Sequence, residues 1–409
     1  MLNLVFQKQV TKITSIPPHC RLNLYRSLKS SLDRVLGHPN DLSAWLHLLL
    51  LPVCTLSLYF PKSSTEERSG NRKRLQTASI NDVLSRWREP QGCVVLVHQI
   101  LQMHKEIQKG RKQGQKKRKT NVEACRKKIS NGLYTAAFRI LSYNRVAPDN
   151  PDTLHELQQK HPYTPPLTIL SGNVSTAAIS VDSKAVLDSI RSFPKGTSCG
   201  RDGLRAQHLL DALSGPAAVV SDELLNSITG VVNLWLSGDC PAVLGQYIAS
   251  APLTPLLKPD GGLRPIEIGT IWWRLCSKIA ATSVGKDMAN YLGNHQYGVG
   301  IPCGGESILH AANRLMKLKG TENNITMMLV DFSNAFNLVD RTTLIREVRD
   351  KCPHISKWVE FCYAQPARLY YNDSIYRHLR VSSKGIPLDH FFFSGFTFIS
   401  LQNCRKLLS

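Results

Sequence analysis

The chain has 409 residues, 42% hydrophobic and 20% charged, a balance that excludes a disordered polypeptide and leaves room for two or three domains with buried cores. Lys plus Arg number 51 against 30 Asp plus Glu, a formal charge of +21. A field of that sign attracts polyanions and releases their counterions, so RNA or DNA is the first partner to consider, with a merely basic soluble protein as the alternative. The 11 cysteines include no C-x-x-C spacing, which argues against a zinc site or redox pair and for reduced, intracellular thiols.

In chain order, MLNLVFQKQVTK lacks the charged, apolar, small-residue order of a secretory signal. Residues 1–103 read as helices separated by turns, a helical N-terminal extension with a basic break at Arg68, Arg72, Lys73 and Arg74. Leu42 to Phe60 is the strongest apolar run, but His47 and Pro52 interrupt it. A buried helix pair is therefore expected there, and no membrane partner. Residues 104–130 are one-sidedly basic, with Lys116, Lys117, Arg118 and Lys119 at the centre and only Glu106 and Glu123 opposing them. Such a stretch repels itself and is expected to form an exposed arm or linker, suited to phosphate contacts or to nuclear import. A solvated helix face without a partner is the equal alternative. The expected location is nuclear or cytoplasmic.

Within residues 131–176, the apolar period of Leu133, Ala136, Ala137, Ile140 and Leu141 predicts an amphipathic helix ending before Pro148, followed by a Pro-rich connector from His161 to Pro166. Residues 177–323 read as mainly helical, with a helix over Ser183 to Ser192, a Gly-containing loop over Gly196 to Gly203, a helical stretch from near Leu204 and short extended pieces. In residues 324–388 the period changes. Ile325 to Val330 is an apolar run of strand length, Thr342 to Cys352 is helical in spacing, and Arg368 to Tyr371 and Ser374 to Val381 flank the turn residues Asn372 and Asp373. Residues 389–409 form a divergent apolar tail.

Two constellations could carry chemistry. In Leu257-Lys258-Pro259-Asp260-Gly261-Gly262-Leu263-Arg264-Pro265-Ile266, Asp and two glycines make a tight hairpin turn, and Lys258 and Arg264 on its arms could converge on one anion such as a triphosphate. The alternative is an ordinary surface hairpin. In VDFSNAFNLVDR, Asp331 stands at the end of the buried run, where a carboxylate could bind Mg²⁺ for phosphoryl transfer. Its alternative task is capping the turn that follows. Phe336, five residues on, could crowd a 2′-hydroxyl, or it is a core residue.

These segments together resemble a known family. KPDGGLRPI resembles the fingers motif of reverse transcriptases, HQYGVGIPCGGESILHAANRL the helical region after it, and VDFSNAFNLVDR the first palm motif, all in the family's order. Trp358, Tyr363 and Ser383-Lys384-Gly385-Ile386 fit downstream, while GRDGLRAQHL and the helix ending in LQQKHP are similar to upstream segments of the non-LTR retrotransposon type. The resemblance runs from about Asn131 to Leu388.

It implies an α+β fold with right-hand polymerase fingers over 177–323 and a partial palm over 324–388. It also implies an RNA-directed DNA polymerase chemistry with Mg²⁺ as cofactor. At matching positions, Asp331 would be the first metal ligand with the carbonyl of Phe332 completing the site, and Phe336 would screen the sugar. Lys258 and Arg264 would hold the incoming nucleotide, and Gly385 would open the helix that supports template and primer. The chain departs from the pattern after Ile386, where the family's Gln-Gly pair is missing, and it contains no Asp-Asp dipeptide. Because carboxylates in such a site act as a unit, the expectation is a reverse-transcriptase-like fragment, truncated within the palm and inactive by itself. The alternative is a non-enzymatic nucleic-acid-binding protein using the basic arm and the fingers.

Overall fold

The computed structural model describes the chain except residues 9, 61–68, 111–121, 123–124, 127–128, 130–133, 142–145, 162–176, 215–220, 259, 294–296, 298–300, 321–339, 373 and 379–409. Helices dominate it: α1 Leu2–Phe6, α2 Arg21–Gly37, α3 Leu42–Thr55, α4 Ser69–Trp87, α5 Gly92–Gly110, α6 Tyr134–Leu141, α7 Pro151–Lys160, α8 Ser183–Arg191, α9 Ala206–Ala212, α10 Ser221–Ser237 and α11 Gly245–Ile248. The hairpin β1 Ala251–Leu257 and β2 Leu263–Glu267 follows, then α12 Ile271–Leu292, α13 Gly304–Lys319, α14 Arg341–Lys351, α15 Ser356–Tyr363, β3 Ala367–Tyr371 and β4 Ser374–His378.

Several helices begin where a short polar side chain satisfies an orphan backbone N–H. Asp41 accepts from Ser43, Asn150 from Thr153, Asp182 from Ala185 and Asp340 from Thr343, each at 2.8 Å. The helices then bury apolar stripes against one another. Trp45 on α3 lies 4.2 Å from Trp235 on α10, which lies 5.4 Å from Phe361 on α15, itself 5.8 Å from Trp358. One continuous core thus joins the first hundred residues to the helices from Ser183 onward.

The four strands form one sheet in the order β2-β1-β3-β4. β1 pairs antiparallel with β2 and parallel with β3, through Ala251↔Leu369 and Pro252↔Tyr370. The parallel pair needs a crossover, and α12 to α15 supply it. At the other end Tyr371↔Ser374 closes the β3–β4 hairpin, with Asn372 in the left-handed region at φ 49°. The fold is α+β, mostly helical with one small sheet.

Most of the expected elements within the described residues are present, with two corrections. The apolar run from Leu42 forms a single helix ending at Thr55, not a helix pair. Pro52 cannot donate to the carbonyl of Leu48, four residues back, and the helix ends three residues later; the run beyond continues as extended backbone with Ser57 bridging to Lys12. Arg72, Lys73 and Arg74 do not break the structure but lie exposed inside α4, since Arg and Lys are good helix formers whose charges simply face water. Among the described residues no helix is long and apolar enough to cross a membrane. The strand expected over Ile325 to Val330, the connector beyond His161 and the tail over 389–409 lie outside the described residues.

Candidate functional site

The β1–β2 hairpin is closed by backbone geometry that only a small residue tolerates. Gly261 donates to the Lys258 carbonyl at 3.1 Å, Lys258 donates to the Gly262 carbonyl at 2.7 Å, and the Asp260 Oδ1 accepts from Gly262 at 3.0 Å. Gly261 sits at φ 83°, a conformation that a side chain would strain.

Strand alternation then sorts the side chains. Leu253, Leu263 and Glu267 face inward, with Leu253 and Leu263 packed against Leu157 of α7 and against Ala147 and Tyr371. Arg264 faces outward opposite Leu256, and Lys258, two residues beyond Leu256, follows the same face. Arg264 is exposed and Lys258 half-buried. The two cations predicted to share an anion therefore stand on one outer face, diagonal neighbours across the hairpin. Among the described residues neither enters a salt bridge.

The inner face is fastened to α7. Glu156 Oε1 accepts the Leu263 N–H at 2.8 Å and Lys160 lies 3.3 Å from the same oxygen. His161, which closes α7, points Nε2 at Glu267 Oε1 at 3.0 Å and Nδ1 at the Leu157 carbonyl at 2.7 Å. On the other edge of β1, Ala147 donates to Pro255 at 2.9 Å, taking the position that β3 leaves after Pro252. The scaffold under Lys258 and Arg264 is thus held on both edges.

A second polar locus lies in GRDGL, and the sequence reading had assigned it no role. Asp202 is fully buried, and desolvation pushes its carboxyl up to about 7, against the opposing pull of nearby backbone N–H groups and Arg274. Those N–H groups sit close to the carboxylate without making a hydrogen bond of ordinary geometry. Beside it the Lys12 stem packs on Gly203, where a Cβ would come within 2.8 Å of Cε. Burial lowers Lys12 to about 7, and its ammonium donates to the Val53 carbonyl and to Ser57 Oγ. Arg201 donates to the Tyr370 carbonyl at 3.1 Å, and His208 faces the Ile13 carbonyl at 3.0 Å. This loop is a junction tying the N-terminal segment to the sheet. In the sequence the locus showed as the adjacent charges Arg201 and Asp202 between two glycines.

The segment VDFSNAFNLVDR is only partly described. Asp331, Phe332 and Phe336 lie outside the described residues, as do Gly385 and the arm residues Lys116, Lys117, Arg118 and Lys119. Its last two residues are described. Asp340 caps α14, and Arg341 is buried, donating to the carbonyls of Tyr363 and Gln365 at 3.1 and 3.2 Å, its guanidinium pushed down to about 10 by burial.

Among the described residues no group of three or more His, Cys, Asp or Glu could hold a metal. A two-metal site needs several carboxylate oxygens; of the two aspartates in VDFSNAFNLVDR, Asp340 is engaged as a helix cap, and the sequence contains no Asp-Asp pair. The described residues make no magnesium site, and Asp331 lies outside them.

No family model matches the chain. Over 171 residues it is 29% identical to the retrotransposable element SLACS 132 kDa protein of Trypanosoma brucei gambiense. That stretch covers 42% of this chain and 13% of the relative, so the chain spans only a small part of the length of the protein it matches. The similarity relates this chain to a retroelement protein.

Proposed function

We propose that this chain is a reverse-transcriptase-like piece of the non-LTR retrotransposon type, comprising the fingers and the front of the palm. It grips nucleic acid and a deoxynucleoside triphosphate but does not extend a primer by itself. One observation carries the reading: Lys258 and Arg264 share the outer face of a hairpin whose inner face is fastened by Glu156 and His161. Two cations on a braced hairpin can meet a triphosphate without first being ordered, which lowers the entropic cost of binding.

In this reading Asp331, with the carbonyl of Phe332, is the one metal-binding point that the chain contributes. Phe336 excludes a 2′-hydroxyl, and Gly385 starts the support for template and primer. Magnesium, when bound, would neutralise charge on the phosphates. The formal charge of +21 supports nucleic acid as the partner whether or not catalysis is retained.

The test is primer extension by the purified chain with a primed RNA template, deoxynucleotides and Mg²⁺, beside binding of a labelled deoxynucleoside triphosphate. The expected result is binding without extension. Extension that disappears in Asp331→Ala would overturn the inactivity, and absence of triphosphate binding would overturn the assignment of the hairpin.

A further inference from the structure

The loop between α8 and α9 gathers cations without carboxylates to match them. Arg205 Nη1 donates to the Thr197 carbonyl at 3.2 Å, Arg274 Nη1 to the Ser198 carbonyl at 2.9 Å, and Lys278 Nζ to the Ser192 carbonyl at 3.4 Å. The Phe193 ring fixes two of these, with the Arg274 guanidinium 5.4 Å and the Lys278 ammonium 5.2 Å from its centroid. Arg191, at the end of α8, and Lys195, in the loop, are exposed. Among the described residues none of the five enters a salt bridge, whereas Lys29 and Arg86 elsewhere pair with Asp33 and Asp82.

Holding like charges together is unfavourable unless something of opposite sign meets them. Burial, and then the charge of Arg274, keeps the Lys278 ammonium below its usual range. The acidic residues between Ser183 and Arg205 are Asp188 and Asp202, and burial keeps Asp202 protonated up to about pH 7. Each carbonyl contact uses one nitrogen, so the cations retain donors for a further acceptor. They are anchored at separate points along the loop, and Arg274 and Lys278 stand one turn apart on α12, about 6 Å along its axis. Such a row suits successive phosphates of a strand better than one small anion. No large apolar side chain is exposed over residues 183–213 or 271–290, so the surface lacks the anchors that a protein interface or an inserted lipid contact would use.

We propose that this cluster is a contact site for the phosphate backbone of a nucleic-acid strand, in which Arg191, Lys195 and Lys278 meet phosphates beside Arg205 and Arg274 without reading bases. The proposal rests on the nucleic-acid partner inferred above and gives it a place on α8 and α12 rather than on the hairpin.

The experiment titrates the full chain with a single-stranded oligomer across a range of salt, beside a labelled deoxynucleoside triphosphate. One variant combines Arg191→Gln, Lys195→Gln and Lys278→Gln; the control combines Arg72→Gln, Lys73→Gln and Arg74→Gln, removing the same charge from the exposed side of α4. Loss of three phosphate contacts is expected to lower the slope of log affinity against log salt by about 2, and oligomer affinity by on the order of a hundredfold near 0.1 M salt. The α4 variant should change the slope little, Lys278→Arg should bind as the unsubstituted chain does, and triphosphate affinity should hold in both triple variants. Should the first triple variant fail to fold, Arg191→Gln with Lys195→Gln carries the same test, with an expected slope change of about 1.4. Equal losses in the two triple variants, or an unchanged slope in the first, would overturn the site and leave the nucleic-acid reading standing. A matching loss of triphosphate affinity would overturn the strand as its ligand in favour of a free phosphate. Failure of the unsubstituted chain to bind the oligomer removes both readings.

Discussion

His161 and Glu267 meet at 3.0 Å across 106 residues of sequence, joining the end of α7 to the end of β2. Their side chains are only 5% and 2% exposed, so this pair, with the Glu156 contact to Leu263, decides whether α7 stays on the hairpin. Removing one member of a buried hydrogen-bonded pair costs roughly 1–3 kcal/mol. His161→Ala is expected to lower the unfolding free energy by about that much in urea denaturation, with faster amide exchange in β2. A loss well under about 1 kcal/mol would mean that α7 is held by Leu157 and the Glu156 contact to Leu263 without this pair.

Asp202 supplies a pH dependence whose sign is fixed by its burial. The folded protein holds its proton up to about pH 7, whereas the ordinary carboxyl value is 3.8. Stability contributed by that proton is fully present below 3.8 and is lost as the pH rises towards about 7, with a limiting slope of about 1.4 kcal/mol per pH unit for one proton. Asp202→Asn cannot ionise, so its stability relative to the parent should increase steadily between these values and level off above them. Melting temperatures of both proteins across that range test the point. A flat difference would show that the carboxylate is ionised and paired.

What was legible in the sequence was local. Helix spacing placed α8 over Ser183–Arg191 and α14 over Arg341–Lys351 within a residue or so of the expected ends. Asn372 marked the β3–β4 turn, and the Asp260-Gly261-Gly262 turn gave the hairpin with Lys258 and Arg264 on its arms. Contacts between distant residues were not legible. Charged side chains such as Lys12, Asp202 and Arg341 are ordinarily read as solvated, because burying a charge is expensive. The carbonyls of Val53 and Tyr363 are brought to Lys12 and Arg341 only by tertiary packing, as is the burial of Asp202. The period over Leu133 to Leu141 located α6 and its inward Ala137.

Lys258 and Arg264 predict a separation of binding from stability. Both stand on the outer face of the hairpin, and the turn is held by backbone and Asp260 contacts that do not use their charges. Lys258→Gln and Arg264→Gln should therefore leave the melting temperature within about 1 °C, since surface changes away from packing usually stay within ~0.5 kcal/mol. Each should weaken binding of a deoxynucleoside triphosphate by roughly tenfold, the worth of one charge-assisted contact. Fluorescence titration at constant ionic strength measures the affinity. A variant that melts normally and binds normally would take the triphosphate away from this face.

Arg341 stands at the end of the VDFSNAFNLVDR segment, yet its described contacts are structural. Its Nη1 donates to the carbonyls of Tyr363 and Gln365, just ahead of β3, and its guanidinium lies 5.8 Å from the Tyr363 ring centroid. Burial lowers its pKa to about 10, so the cation persists throughout the neutral range and the contact should not vary with pH there. Arg341→Met fills similar space but leaves both carbonyls without this donor, and an unsatisfied buried group costs about 1–3 kcal/mol. The variant is expected to lose roughly 2–5 kcal/mol, equally at pH 6 and pH 8, from those two groups together. Amide exchange should rise first in β3, whose entry the guanidinium fixes, and spread through the parallel pairing to β1. Because β1 carries the arm that leads to Lys258, triphosphate affinity should fall with the loss of order in β1, whereas the exposed Arg264→Gln change lowers affinity without it. Loss of stability with β3 exchange unaltered would place the role of Arg341 within α14 and α15 alone and uncouple it from the hairpin.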